Sequence, residues 1–182
     1  MSSFFTQNYF DLFELPLSFD IDLPKLNSHY RELQKILHPD RYASASDQER
    51  RLSVQKSTQV NEAFQTLKSA ALRARYLLEL KGIQFNDEKD TSFDPAFLME
   101  QMELRENLAA VKQAADPSGT LAELLRDIEI RQQQMIKKLQ ILFATNNEES
   151  LQEAKQAVQK IRFLNRLQQE AEEMEEDLLD SY

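Results

Sequence analysis

Glycine is the residue that most restricts what this chain can fold into, because only two glycines occur among its 182 residues. An average chain of this length carries about thirteen. Gly82 and Gly119 are far apart, so no glycine-rich loop can wrap a phosphate, which excludes Walker A loops, dinucleotide-binding fingerprints and nucleophile elbows. Few turn-forming residues, together with abundant Leu, Gln, Glu, Lys and Ala, predict an all-α protein.

The chain has no cysteine and two histidines, His29 and His38. Without thiols it has no disulfide, no thiolate-bound metal, no iron–sulfur ligand and no cysteine nucleophile. Two histidines nine positions apart do not form the usual multi-histidine metal site. We therefore expect no catalytic residue, no metal and no cofactor, and the chain is not expected to be an enzyme.

Charge is distributed unevenly along the chain. Residues 1–80 hold ten acids and ten bases, whereas residues 81–182 hold twenty-one acids and twelve bases and carry the whole net charge of -9. This asymmetry predicts two units with different partners and argues against nucleic acid as a partner. No apolar run approaches the length of a membrane span, and residues 1–8 contain no Lys or Arg, so we expect a soluble cytoplasmic protein without a targeting peptide.

Apolar periodicity, capping residues and prolines predict three helices in the first half of the chain. The residue before a proline is pushed out of the α region, which gives each of the first two helices a stop signal. The predicted helices run from about Asn8 to Leu15, from a cap at Asp22 to a stop before Pro39, and from the capping box of Ser46 and Glu49 towards Gly82.

Three longer amphipathic helices are predicted in the second half, joined by short connections that imply an antiparallel three-helix bundle. We expect units at residues 1–82 and 95–182, with a polar linker at 83–94. The first of these helices runs from Pro95 to about Ala115 and is followed by a turn at residues 116–119. The second begins at a capping box formed by Thr120 and Glu123. The third begins at a capping box formed by Thr145 and Glu148 and ends in an acidic tail.

The tripeptide His38-Pro39-Asp40 lies between two helices that should pair antiparallel, after NYFDLFELP and before VNEAFQTL. Together these features resemble a J domain, the module through which DnaJ-type co-chaperones stimulate the ATPase of DnaK-type chaperones. An ordinary helix stop is the alternative. A His/Asp acid–base pair is a second alternative, but it lacks any nucleophile, metal or pocket signal.

The J-domain resemblance implies a chaperone-binding role for His38, Pro39 and Asp40. Pro39 stiffens the loop, and the Asp40 carboxylate can accept an arginine pair from a partner. The basic residues around this loop are expected to steer an acidic chaperone surface, although a solvated helix face is the alternative. These flanking residues are Lys25, His29, Arg31, Lys35 and Arg41.

Three further stretches, ALRARYLLELKG, FDPAFLMEQMELRENL and KIRFLNRLQQEAEEMEEDLLD, resemble the HscB family of J-type co-chaperones of iron–sulfur cluster assembly. The Gly/Phe-rich region and cysteine modules of general DnaJ proteins are absent. The resemblance implies an L-shaped protein in which a J domain, an antiparallel helical hairpin with an HPD loop, joins a C-terminal three-helix bundle. It also implies a protein that delivers the scaffold protein IscU to the chaperone HscA. The sequence shows no strong homo-oligomer seam, so we expect a monomer. The missing presequence favours the bacterial cytosol, and a processed mitochondrial form is the alternative.

The helix from Pro95 has two apolar stripes. At about 100° per residue, its core stripe is separate from a second stripe on the far side that is flanked by acids. Docking of a partner is one interpretation of this second stripe, and packing against another helix is the alternative. The HscB resemblance implies scaffold binding by Leu98, Met99, Met102, Glu103, Glu106 and Phe163.

At the edge of this scaffold-binding surface, Ala110 occupies a position where the HscB resemblance implies another acidic contact.

Two rival functions remain at this point, a J protein serving a different client and a structural helical protein with a chance HPD.

Overall fold

The computed structural model describes residues 7–38, 46–86 and 95–180, and all regular elements within these ranges are helical, which confirms the predicted all-α class. The chain divides into two compact units, Met1–Lys81 and Gly82–Tyr182. None of the described helices is long and apolar enough to span a membrane. The helices are α1 (Tyr9–Leu12), α2 (Leu23–Leu37), α3 (Asp47–Lys68), α4 (Ala70–Leu80), α5 (Pro95–Ala110), α6 (Pro117–Thr145) and α7 (Glu148–Leu179).

The three helix starts predicted in the first unit are present. Asn8, Asp22 and Ser46 each accept the backbone N–H of the residue three positions later, at 3.0, 2.9 and 3.3 Å. The Glu49 carboxylate accepts the Ser46 N–H in return and completes the predicted capping box. Each cap satisfies a backbone donor that the helix itself leaves unpaired, which is why these starts can be identified from local sequence.

Two helix ends in this unit differ from those predicted from the apolar pattern of the sequence. Helix α1 stops at Leu12 instead of Leu15, because the chain enters a tight turn in which Glu14 has a left-handed φ of 51°. After α3, Ser69 adopts an extended conformation and its side chain caps α4, so the third predicted helix is two helices. Gly82, with a φ of 84°, follows the cap of α4 as predicted.

Helices α2 and α3 form an antiparallel pair. In the middle of α2 the Tyr30 hydroxyl donates to Asn61 Oδ1 at 2.9 Å, and at the C-terminal end of α2 the Ser53 hydroxyl donates to the Leu37 carbonyl at 2.9 Å. Tyr30 also stacks on Phe64 with 3.9 Å between ring centroids. These contacts fix which residues of α3 lie beside the end of α2.

Arg73 of α4 is buried and connects three parts of the first unit. Its Nε donates to the Phe19 carbonyl at 2.8 Å, its Nη1 donates to the Leu67 carbonyl, and its guanidinium lies 5.0 Å from the Phe19 ring centroid. Burial lowers the pKa of Arg73, and the nearby Asp20 carboxylate partly opposes that shift. The loop after α1 is thus held to the junction of α3 and α4 by one side chain.

Replacing this cation is expected to destabilise the first unit. Arg73→Met keeps the apolar stem but leaves two carbonyls without their donor, so we expect the free energy of unfolding to fall by about 3 kcal/mol. Arg75→Met is the matched control, because Arg75 pairs with Glu79 in a partly exposed bridge and should cost less than about 1 kcal/mol. Urea unfolding of the full chain measures both, and equal losses would contradict the role of Arg73.

Helices α5, α6 and α7 form the predicted three-helix bundle. Helices α6 and α7 run antiparallel, as shown by hydrogen bonds from Gln132 to Asn165 and Gln168 and by the 3.2 Å ion pair between Lys138 and Glu153. Helix α5 packs against this pair. The shared core consists of Leu104, Leu108, Val111, Leu121, Leu124, Ile128, Leu164, Leu167 and Ala171.

Helix α6 begins earlier than predicted. Asp116 is its cap, accepting the Gly119 N–H at 3.0 Å, and Pro117 lies in the first turn. The predicted cap Thr120 is therefore already inside the helix, where its hydroxyl donates to the Asp116 carbonyl at 2.7 Å. The Asp-Pro pair is a stronger start signal than Thr120 because the proline fixes φ and has no N–H to satisfy.

The boundaries on either side of α6 also differ from the prediction. Helix α5 ends at Ala110 and continues as a 3₁₀ turn, Val111–Gln113, instead of reaching Ala115. Thr145 is the last residue of α6 and not the cap of α7. Asn147 is that cap and forms its capping box with Ser150. The left-handed Asn146 between them ends α6, a conformation that asparagine tolerates well.

Candidate functional site

The first candidate surface lies at the C-terminal end of α2. His38 is exposed and leaves the helix with φ -58° and ψ 127°, the extended conformation that a following proline imposes. Pro39, Asp40 and Arg41 lie outside the described residues. The roles assigned to the HPD loop and to Arg41 therefore stay predictions.

Two of the predicted flanking residues make hydrogen bonds within the unit. The Lys25 ammonium donates to the Glu14 carbonyl at 2.7 Å, and His29 Nδ1 donates to the Phe13 carbonyl at 2.6 Å. Both acceptors belong to the strained turn after α1, where Glu14 has its left-handed φ. Sequence reasoning missed this structural role, because the carbonyls lie more than ten residues away along the chain.

The other two described cations share an exposed face with His38. At 100° per residue, Arg31, Lys35 and His38 lie within about 60° of one another around α2. Gln34, on the edge of this face nearest α3, hydrogen-bonds Asn61 across the helix pair. We call Arg31, Lys35 and His38 the α2 basic face.

The second candidate surface lies on α5. Leu98, Met99 and Met102 are 42%, 72% and 63% exposed, whereas the core stripe of the same helix is buried. Glu103 and Glu106 are also exposed and lie beside these apolar side chains. The structure thus brings together the predicted stripe, which we call the α5 patch: Leu98, Met99, Met102, Glu103 and Glu106.

Phe163 of α7, the remaining predicted scaffold-binding residue, is half-buried next to α5. Its ring meets Phe97 edge to face, with 5.9 Å between centroids, and the Arg105 guanidinium lies 5.7 Å from its centroid. Lys160 lies in turn 4.8 Å from the Phe97 ring centroid. Sequence reasoning did not predict Arg105 or Lys160 here, since their aromatic partners belong to the other helix.

A cavity of about 350 Å³ lies between α5, α6 and α7. Glu100, Asp127 and Arg131 form an ion-pair cluster at its wall. Burial lowers the pKa of Arg131, but the hydrogen bonds that its guanidinium donates to Asp127 and Glu100 outweigh burial and raise this pKa. Arg131 pairs with both carboxylates and thereby links α5 to α6, so we interpret the cluster as a structural feature of the bundle.

Comparisons with known proteins agree on one family. The model of the HSCB C-terminal oligomerisation domain family matches residues 93–172. The co-chaperone protein HscB homolog of Shewanella halifaxensis is 43% identical over 173 residues, which cover 95% of this chain and 99% of that protein.

Two solved structures extend the likeness to the fold. The chaperone HscB from Vibrio cholerae superposes with a TM-score of 0.84 and 41% identity, covering 94% of this chain and 99% of that one. Human co-chaperone protein HscB superposes with a TM-score of 0.83 and 30% identity, covering 92% of this chain and 81% of that one. The fold and these relatives define a co-chaperone that joins a J domain to a helical bundle. Within that class, the chain belongs to the HscB family.

Proposed function

We propose that this chain is an adaptor that delivers the iron–sulfur scaffold protein IscU to the DnaK-type chaperone HscA and stimulates its ATPase. The J domain, residues 1–82, contacts the chaperone, and the bundle, residues 95–182, binds the scaffold, with residues 83–94 as the linker. The chain performs no chemistry itself and needs no cofactor. It acts as a monomer in the bacterial cytoplasm.

The α5 patch is the observation that carries the scaffold-binding half of the proposal. Three large apolar side chains on one helix face water although the opposite stripe of that helix is buried in the core. Contiguous exposed apolar surface with a polar rim is typical of a protein-binding site. The two methionines add adaptability, because the unbranched thioether side chain can fill an irregular surface. Phe163 of α7, which contacts Phe97 and Arg105 of α5, is proposed to add to this apolar area.

The α2 basic face supports the chaperone-binding half. Arg31 and Lys35 are positioned to attract an acidic surface and to bring His38, and with it the HPD loop, into contact. Arg41 is proposed to add to this attraction. Lys25 and His29 are proposed to act on the same interface indirectly, by fixing the turn after α1 against α2.

Joining the two sites on one chain has a kinetic consequence. A scaffold protein held by the bundle experiences a raised effective concentration at a chaperone held by the J domain, without any direct affinity between the two partners. We therefore expect the adaptor and the scaffold, when both are present, to raise the ATPase rate of the chaperone by more than the sum of their separate effects.

Steady-state ATP hydrolysis by HscA tests this directly. The full chain is titrated into HscA with and without IscU, and we expect at least about a tenfold rise in rate when both are present. Stimulation that IscU does not change would indicate a different client. No stimulation under either condition would contradict the chaperone role.

A further inference from the structure

The two methionines of the α5 patch are the most exposed sulfur-containing side chains in the described part of the chain. Met99 and Met102 are 72% and 63% exposed, whereas Met135 and Met174 are half-buried within the bundle. Met1, the fifth methionine, lies outside the described residues, and the chain has no cysteine. Since an oxidant must approach the sulfur atom to react with it, we expect the methionines of the α5 patch to be oxidised before those of the bundle interior.

Oxidation converts the apolar thioether of methionine into a polar sulfoxide. A lone pair of the sulfur attacks one oxygen of hydrogen peroxide, so that an S–O bond forms while the O–O bond breaks. The departing hydroxide takes the proton from the transferred oxygen, and the products are methionine sulfoxide and water. Two electrons pass from sulfur to peroxide in this step. A thiol reductant returns them when a methionine sulfoxide reductase restores the thioether.

The position of the two sulfur atoms determines what a sulfoxide changes. Met99 and Met102 lie about 60° apart around α5, on the face that the proposed scaffold partner buries. The sulfoxide oxygen accepts hydrogen bonds, and the neighbouring carboxylates of Glu103 and Glu106 also only accept them, so no side chain of the α5 patch is a donor for it. A partner whose surface fits the apolar patch therefore buries this acceptor unpaired, which weakens binding.

The fold depends on neither of these two side chains. Leu104 and Leu108 hold α5 in the core of the bundle, and Met99 and Met102 are not part of that core. The first unit contains Met1 as its only methionine. Oxidation of the α5 patch should therefore reduce scaffold binding while the bundle stays folded and the J domain stays intact.

We propose that Met99 and Met102 form a reversible oxidation site, at which oxidants of the peroxide class switch scaffold binding off and methionine sulfoxide reductases switch it on again. This inference rests on the proposed function, because it takes IscU as the partner of the α5 patch. The oxidised chain still stimulates HscA through its J domain, but it no longer holds the scaffold. The additional stimulation that IscU brings is therefore lost.

The test oxidises the full chain alone with hydrogen peroxide, removes the oxidant and then titrates the chain with untreated IscU by calorimetry. Peptide mass spectrometry shows which methionines gain an oxygen, and Met99 and Met102 should do so before Met135 and Met174. With both patch methionines converted, IscU affinity should fall at least about thirtyfold. Treatment with dithiothreitol and the two methionine sulfoxide reductases, one for each sulfoxide epimer, should restore the affinity to within about twofold.

Matched variants, each compared before and after oxidation, show which sulfur atoms cause the loss. Met99→Leu with Met102→Leu has no sulfur in the α5 patch, and its IscU affinity should change less than about threefold on treatment. The control, Met135→Leu with Met174→Leu, keeps both patch methionines and should lose affinity as far as wild type does. If the first variant binds IscU too weakly to measure, Met99→Leu alone replaces it and should show a smaller fall than wild type.

The possible outcomes separate this inference from the proposed function. If the untreated wild-type chain does not bind IscU, the proposed function is overturned and the inference falls with it. Normal binding that oxidation of Met99 and Met102 leaves unchanged overturns the inference alone. An equal fall in wild type and in the variant without patch methionines also overturns it, as does a fall that the reductases do not reverse. Unfolding of the oxidised chain in far-ultraviolet circular dichroism, or loss of its stimulation of HscA without IscU, overturns it as well.

Discussion

A His38→Gln variant should lose the ability to stimulate HscA, with the maximal ATPase rate falling at least about tenfold towards the unstimulated value. His38 is exposed and directly follows the last residue of α2, so the substitution removes an imidazole from the proposed interface without opening a cavity in the core. We therefore expect the loss of stimulation to occur with an unchanged circular dichroism spectrum. Steady-state ATP hydrolysis at saturating adaptor measures the effect.

Lys81→Gln is the matched control for this substitution. Lys81 occupies the same position at the end of α4 that His38 occupies at the end of α2, and it is also exposed. Stimulation by Lys81→Gln should stay within about twofold of wild type. If His38→Gln stimulates as well as this control, the J-domain mechanism is wrong.

Truncating two residues of the α5 patch should weaken scaffold binding about a hundredfold. Leu98→Ala with Met102→Ala removes most of two apolar side chains that a bound partner would bury, a loss of about 3 kcal/mol in binding free energy. The fold should persist, because neither side chain belongs to the core of the bundle. Isothermal titration calorimetry with IscU measures the affinity.

Two controls make this result specific. Ile130→Ala with Ile141→Ala truncates two other exposed apolar residues of the same unit and should leave IscU affinity unchanged within about threefold. Stimulation of HscA by the patch variant in the absence of IscU should also be unchanged, since the J domain is intact. Unchanged IscU affinity in the patch variant would refute the assignment of the scaffold site.

Features that depend on residues close in sequence were predictable. The caps at Asn8, Asp22 and Ser46 each involve a side chain and a backbone N–H only three positions away. The exposure of Leu98 and Met102 follows from helical geometry, because they lie about 80° and 120° around α5 from Leu108, the nearest residue of the buried stripe.

Boundaries with two competing signals were less predictable. Both Asp116 and Thr120 can cap a helix, and both Thr145 and Asn147 can do so. At the start of α6 the earlier cap prevails, since a proline already suited to the first turn follows it. At the start of α7 the later cap prevails, because Asn146 adopts a left-handed conformation and separates the two helices. The local sequence pattern does not show which of two possible cap residues begins the helix.

Contacts between distant segments could not be predicted from this sequence. Lys25 and His29 resemble solvated polar residues on a helix, yet their partners are carbonyls of the turn after α1. Phe163, which the sequence predicts only as a scaffold-binding residue, is half-buried. Its burial against Phe97 and Arg105 depends on how α5 packs against α7.

The separation of the two stripes of α5 has a consequence for how such proteins diverge. The residues that hold α5 in the bundle, such as Leu104 and Leu108, are different from the exposed residues of the α5 patch. Natural variation at Leu98, Met99 or Met102 can therefore change partner preference with little effect on stability, while the buried stripe remains under selection for folding. Recognition and architecture can evolve at separate rates on a single helix.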